Sequence, residues 1–543
     1  MREKQPNNSN YIIRLPFLLS IAICIGIYLG ANWFSSSAPT SGEINSNAGK
    51  FRDVLGYIER YYVDTVDLDE LTEHAIEEVL TKLDPHTAYI PAKDYDMANA
   101  PLQGDFEGIG IEFNIFKDTI NVVAVLPEGP SEKAGLKPGD KLLEVDGENL
   151  AGINVNNRKV VEKLRGKKGT NVEVKIKRRA MEEPLSFTIK RDKIPTTTVE
   201  VGYMIDEKTG YIKVTRFGAK TYDEFESALS KLVDQGMGRL VLDLRDNLGG
   251  YMDKAISIAD EFLAGSQLIV YTDGQGTQFD DEANASKKGL FEAGSLVVLI
   301  NENSASASEI VAGALQDNDR ALIAGRRSFG KGLVQREIRL DDNSALRLTI
   351  SRYYTPSGRS IQKPYGDGTD YSHEIQQRYA HGELFNKDSI IQDTENQYAT
   401  SKGRTVYGGG GIMPDFFIPQ DTSYYSTYLN KLISKNLLRE YAYNYAAEHR
   451  EELTEMGLHK FKQKMYINEN IMRDFVAFSA SSGVPYNDTQ FLISKGYIEN
   501  YLKAFVARAI WKDEGFYQVY NQFDNEVIEA LKLFDKAEDI SGI

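Results

Sequence analysis

Apolar and polar positions divide this chain into stretches of different period. From Lys50 to about Lys82, in "FRDVLGYIERYY…LTEHAIEEVLTKL", apolar residues recur at three and four. That spacing predicts two helices, ended by the two prolines of "LDPHTAYIP" (83–91). Residues 105–193 change to short alternating strands, "GIGIEF", "INVVAVLP", "DKLLEVDG" and "VEVKIKRR", with one helix near Val155–Leu164. From Gly202 buried strands alternate with helices. "YIKVTRF" (211–217) leads to a helix at 222–234, then "RLVLDLR" (239–245) and a helix from about Tyr251 to Leu263. "SLVVLIN" (295–301) follows, then a helix opening at "SASAS", then "RALIAG" (320–325). Such alternation predicts an α/β layer architecture, which the long strand "ALRLTISRYYTP" (345–356) is expected to close. Residues 365–405 are polar and irregular, and "YGGGGIMPD" (407–415) is a glycine-rich return. Residues 425–543, rich in Tyr, Lys and Glu at helical spacing, predict a C-terminal helical domain.

One stretch is apolar without any period. "LPFLLSIAICIGIYLGANWF" (15–34) carries no charge and is long enough to span about 30 Å of hydrocarbon. Arg2, Lys4 and Arg14 precede it, and no Lys or Arg follows until Lys50. The asymmetry predicts a cytoplasmic segment 1–14, a single transmembrane anchor at 15–34 and a linker at 35–48. The body would then lie on the extracytoplasmic, periplasmic side of the cell membrane. The rival is a signal segment cleaved after the small residues ending at Ala38, giving a secreted form.

Composition narrows the chemistry. A chain of 543 residues is too long for one core and predicts several domains. Its net charge of −16 argues against a nucleic-acid partner. The single cysteine, Cys24, excludes internal disulfides and cysteine-based zinc sites. No two of the six histidines form a close ligand pair, so neither a metal nor another cofactor is expected.

Within "NENSASASEIVAGALQD" (301–317) a buried strand hands over to a helix through three serines. Serine there is an ordinary helix cap. It is also exposed at the carboxyl edge of a sheet, beside free helix N–H groups that stabilise an oxyanion. The residues alone leave both readings open. A nucleophile needs a base, and "GRRSFGKGLVQ" (325–335) offers Lys331 between two glycines. A phosphate-loop reading of that stretch fails at Gly332, where Ser or Thr should stand. "DLRDNLGGYMDKA" (243–255) ends another strand on Gly249-Gly250; its two aspartates, Asp243 and Asp246, are too few ligands for a metal.

"SASASE", "GALQD", "GKGLVQ" and "DLRDNLGG" together resemble the carboxyl-terminal processing (tail-specific) proteases, serine peptidases with a Ser-Lys dyad. In that family the lysine follows the serine by 25 positions and a glutamine follows the lysine by four, which selects Ser306, Lys331 and Gln335. The resemblance implies Ser306 as nucleophile, Lys331 as general base and then acid, and Gln335 as the group orienting the lysine. It implies an oxyanion hole from the N–H groups of Ala307 and Gly250, and a supporting role for Asp317. Ser304 and Ser308 match positions without a nucleophilic part. "LDPHTAYIP", "RYYTPSGRSIQ" (352–362) and "GGIMPD" (410–415) extend the resemblance over roughly residues 50–420.

Residues 105–193 resemble a PDZ domain, "PEGPSEKAGLKPGDKLLEVDG" (127–147) being close to the bacterial type. In "FEGIGIEF" (106–113), Gly108, Ile109, Gly110 and Ile111 are the candidates for holding a substrate's C-terminal carboxylate, and the following strand offers an edge to a peptide. The expected fold is multidomain α+β. A helical segment (49–104), the PDZ domain (105–193), an α/β Ser-Lys protease core (194–424) and a C-terminal helical domain (425–543) stand behind one transmembrane helix. The expected function is an endopeptidase that captures apolar protein C-termini and cleaves the chain through an acyl-enzyme. A catalytically silent PDZ scaffold is the alternative. Self-association and adaptor docking both remain open for the C-terminal region.

Overall fold

The computed structural model describes residues 42–542 apart from 117, 127, 179–180, 367 and 392–394. The expected anchor at 15–34 lies outside the described residues, and no helix among them is long and apolar enough to cross a membrane. The chain divides into two compact units between Val79 and Leu80. Helix Gly42–Tyr61 and all but the last residue of helix Leu68–Leu80 fall in the first, and both helices follow the three-four apolar spacing. The earlier helix starts within the expected linker 35–48, which is therefore helical from Gly42.

The second unit is built around a six-stranded sheet. Its strands are β1 (Val199–Met204), β2 (Thr209–Val214), β3 (Arg239–Asp243), β4 (Ser295–Ile300), β5 (Leu322–Gly325) and β6 (Phe416–Phe417), side by side in that order. β1 is antiparallel to β2, and every later pair is parallel. Side chains alternate between two buried faces. Leu240, Leu242, Leu296, Val298 and Ile300 pack against α1 (Thr221–Asp234), α2 (Met252–Asp260) and α3 (Ala307–Asp317). Val241, Val297, Leu299, Leu322 and Ala324 point the other way, onto Val527, Ala530, Leu533, Phe534 and Ala537. These last residues come from the end of the chain. After the long helix α4 (Asp488–Tyr520), broken at Trp511–Lys512, α5 (Asn525–Ala530) and α6 (Phe534–Ser541) cover the sheet's second face. The C-terminal region is helical as expected, but its last part is a layer of the α/β core. Residues from Tyr428 to Val519 form a separate helical cluster.

The long strand Ala345–Tyr354 does not close the parallel sheet. It pairs antiparallel with Ala88–Ile90, Leu268–Gly274 and Leu333–Arg339 in a second sheet. It carries charged and polar positions, Arg347, Thr349 and Ser351, whereas β4 is apolar from Leu296 to Ile300.

Residues 105–195 form a small β domain. Strands Ile111–Phe116, Thr119–Val125, Lys141–Val145, Asn171–Lys177 and Leu185–Lys190 pair antiparallel around Ile120, Leu142, Val174 and Ile189. The crossings into and out of the domain, Asp105–Gly108 and Asp192–Pro195, pair with each other and make its stem.

Candidate active site

The loops that leave β3, β4 and β5 at their carboxyl ends meet in one place, as parallel α/β sheets arrange their sites. Ser306 ends the β4 loop at φ +55°, a strained backbone for a non-glycine residue, and caps α3. Beside it, Gly249 has φ +95° and no room for a side chain. A Cβ there would lie 2.7 Å from Ser306 Cβ and 3.0 Å from the Ala307 nitrogen. Gly250 is packed against Phe217, whose carbonyl oxygen would lie 2.1 Å from a Cβ at that position. Gly249 is thus pressed against the nucleophile candidate and the first N–H of α3, with Gly250 beside it.

The remaining serines hold this geometry. Ser304 Oγ donates to Leu244 O at 2.9 Å, tying the β4 loop to the β3 loop, and Ser308 Oγ donates to Asn247 O at 2.8 Å, tying the first turn of α3 to it.

Lys331 lines the same cavity as Ser306, Gly249, Gly250, Gln335 and Arg347, a space of about 590 Å³. Its Nζ donates to Gln335 Oε1 at 2.9 Å. No hydrogen bond joins it to Ser306 Oγ in this structure; contacts of that kind commonly tighten only in the substrate complex. Gln335 Nε2 donates in turn to the carbonyl of His86. Burial, followed by the positive charge of Arg347, holds Lys331 below the ordinary lysine pKa, against the pull of Asp84 and Glu309. The ring of His86 is directed to Tyr371 Oη at 2.7 Å, and burial with the Lys331 charge pushes its pKa down to about 4.

Three residues that the sequence reading passed over join these parts. Glu309, fully buried, accepts at Oε2 from the N–H groups of Ser306 and Lys331, each at 2.8 Å. Its Oε1 accepts from Gly330 N–H at 2.7 Å and Ser328 Oγ at 2.5 Å. Burial pushes this carboxyl above its ordinary range against those four donors. Tyr353 Oη lies 2.8 Å from Lys331 O and 3.2 Å from Ser306 O, bridging the same two backbones. His86 supplies Gln335's acceptor, its own loop being fixed by Asp84, which accepts from His86 N–H at 2.8 Å and Thr87 N–H at 2.9 Å. Of the three, Glu309 had a visible signal, the S-x-x-E pattern of a capping box.

Asp317 stands at the far end of α3 from Ser306, roughly 16 Å along the helix axis. It accepts from Arg359 Nη2 at 2.7 Å and Ser357 Oγ at 2.6 Å, with both Asp317 and Arg359 buried. Its contacts anchor the helix to the turn after the long strand rather than reach the cavity.

Gly108, Ile109, Gly110 and Ile111 lie in the small β domain, outside the cavity around Ser306. Ile109 turns its side chain into that domain's core, and its carbonyl accepts from Ser131 N–H and Oγ at 3.1 and 2.7 Å. Gly110 has φ +72°. The strand starting at Ile111 ends its sheet, pairing on one side only. Among the described residues no group of three or more His, Cys, Asp or Glu could hold a metal ion.

Comparison with known proteins assigns the parts. Residues 208–375 match peptidase family S41, residues 122–178 match a PDZ domain, and residues 428–513 match a family of unknown function, DUF8443. A carboxy-terminal-processing protease of Bartonella bacilliformis is 38% identical over 345 residues, 62% of this chain and 78% of that protein. The carboxy-terminal processing protease CtpB of Bacillus subtilis is 34% identical over 357 residues, 62% of this chain and 72% of that protein. A carboxyl-terminal-processing protease of Synechocystis sp. is 36% identical over 316 residues, 56% of this chain and 72% of that protein.

Proposed function

The chain belongs to peptidase family S41 as a carboxy-terminal-processing serine protease, and on that premise we propose that Ser306, Lys331 and Gln335 carry out its hydrolysis of peptide bonds. Neutral Lys331 takes the proton of Ser306 Oγ as that oxygen attacks the scissile carbonyl. The N–H groups of Ala307 and Gly250 receive the developing oxyanion. Lys331 then gives the proton to the departing amine, leaving an acyl-enzyme that water hydrolyses with the lysine again as base. Gln335 holds the lysine's Nζ toward the cavity. The observation that carries this reading is the convergence of a buried, pKa-depressed lysine, a strained serine and a glycine turn on one cavity.

The neutral base sets the pH dependence. An ordinary lysine titrates near pH ~10.4. Since Lys331 is depressed, kcat/KM should rise with pH through a midpoint below that value. Arg347→Gln removes the neighbouring positive charge and should move the midpoint upward, so that less enzyme is active at neutral pH. A pH–rate profile of both proteins checks this, and an unmoved midpoint would remove Arg347 from the account.

The PDZ domain binds peptide or protein substrates. In this proposal it takes the C-terminal carboxylate at Gly108–Ile111 and pairs the tail with the open strand edge, favouring apolar C-termini. The test uses one unfolded substrate in two forms, with an apolar free C-terminus and with the same end amidated. Wild-type protein should cleave the first several-fold faster, and Ser306→Ala neither. Equal rates on both forms would sink the PDZ role; cleavage by Ser306→Ala would sink the dyad. Anchoring by residues 15–34, with the body extracytoplasmic, completes the proposal, and protease accessibility in intact cells tests it.

A further inference from the structure

Each of the three catalytic loops carries a charged side chain within its first two positions: Arg245 after β3, Glu302 after β4 and Arg326 after β5. None of them lines the cavity around Ser306. All three instead border a second cavity, together with Asp524 and Glu526 from the chain that leads into α5.

The contacts there are close and shielded from water. Arg245 donates to Asp524 from Nη1 at 3.1 Å and from Nη2 at 2.9 Å. The same Nη2 donates to Asp243 Oδ2 at 2.6 Å. Arg326 donates to Glu526 Oε1 at 2.7 Å and to Glu302 Oε2 at 2.7 Å. Glu526 Oε2 also faces Arg245 Nη1 at 3.4 Å. Arg326 is 4% exposed, so these are not solvent-screened surface pairs. Two carboxylates in consecutive positions but one thus grip the root of the oxyanion loop and the root of the base loop, and through Arg326 the root of the nucleophile loop.

We propose that Asp524 and Glu526 are positioning residues for catalysis, fixing the spacing of the three loops from the face of the sheet opposite the helices α1–α3. The proposal rests on the Ser306–Lys331 reading and gives the C-terminal layer a part in the reaction beyond covering the sheet. Only one end of that layer has this part. At the opposite end of β4, Ser295 Oγ donates to Glu538 Oε1 at 2.6 Å, where no catalytic loop begins.

The test compares Asp524→Asn, Glu526→Gln and the control Glu538→Gln in the full chain, measuring kcat, KM and the thermal midpoint. Asparagine keeps the cap that Asp524 provides to α5, so Asp524→Asn isolates the ion pair. A misplacement of about 1 Å can cost about 10²-fold in rate, so partial loosening predicts a fall in kcat of about tenfold. KM should stay within about twofold, because substrate-binding surfaces are not altered. Glu538→Gln should lower the thermal midpoint and leave kcat unchanged. Unchanged kcat in both Asp524→Asn and Glu526→Gln would overturn the proposal. So would a fall in kcat that the control reproduces, or failure of both variants to fold while the control folds. Residual turnover in Ser306→Ala is the separate result that would remove the dyad itself.

Discussion

Lys331→Ala is expected to lower kcat by about 10⁴-fold with little change in thermal stability. The lysine's side chain makes one hydrogen bond, to Gln335, and its charged form is disfavoured by burial. Removing it therefore costs the fold little. Lys331→Arg is the sharper variant. It keeps a positive charge and a donor at the same place, but a guanidinium does not deprotonate in proteins, so it should be as inactive as alanine. Recovery of activity by arginine would mean that the charge, not the proton transfer, is what catalysis needs. Ser306→Ala should match these losses, and the double variant should be no worse than either single one, since the two groups act in one step. Single-turnover measurements on the tail-bearing substrate would read all four proteins.

Glu309→Gln should behave differently, losing stability and activity together. One carboxylate receives four donors, three of them backbone N–H groups. A carboxamide presents one acceptor oxygen and one NH₂, so whichever way it turns, at least one backbone N–H faces another donor. With the group fully buried, the cost is about 2–4 kcal/mol of stability. The same change lets the Ser306 and Lys331 backbones move apart, which predicts a fall in kcat of about 10²-fold. Chemical denaturation paired with kcat separates the two replacements. Lys331→Ala should move only kcat, Glu309→Gln both, and an unchanged denaturation midpoint in Glu309→Gln would rule out this account of the carboxylate.

How much of this was legible in the sequence follows from distance along the chain. Continuous apolar runs and the three-four pattern located β2 to β5 and α1 to α3, because burial of both sheet faces leaves apolar strands such as β4. Ser306, Lys331 and Gln335 could be picked out because a family spacing ties them within 30 residues. The partners that hold them could not. His86 lies 249 positions from Gln335, and nothing periodic links them. Tyr353 sits on a strand that was legible as a strand, but its membership of a second sheet depends on pairing with Ala88–Ile90 and Leu333–Arg339. The C-terminal helices were legible as helices. That Val527, Ala530 and Phe534 complete the core needed the structure, because an amphipathic helix does not say which face it covers.

The long reach of these contacts bears on the order in which the protein acquires its parts. Non-local contacts form slowly, because loop closure must precede their reward. Gln335 finds its acceptor only after the segment around His86 has been brought against the base loop. Arg245 meets Asp524, and Arg326 meets Glu526, only after the chain near residue 524 has docked, 279 positions from Arg245. A ribosome delivers these pieces at widely separated times. On the proposed Ser306–Lys331 reading the hydrolytic centre is therefore a late product of folding, and a half-made chain carries the serine and the lysine without a working protease.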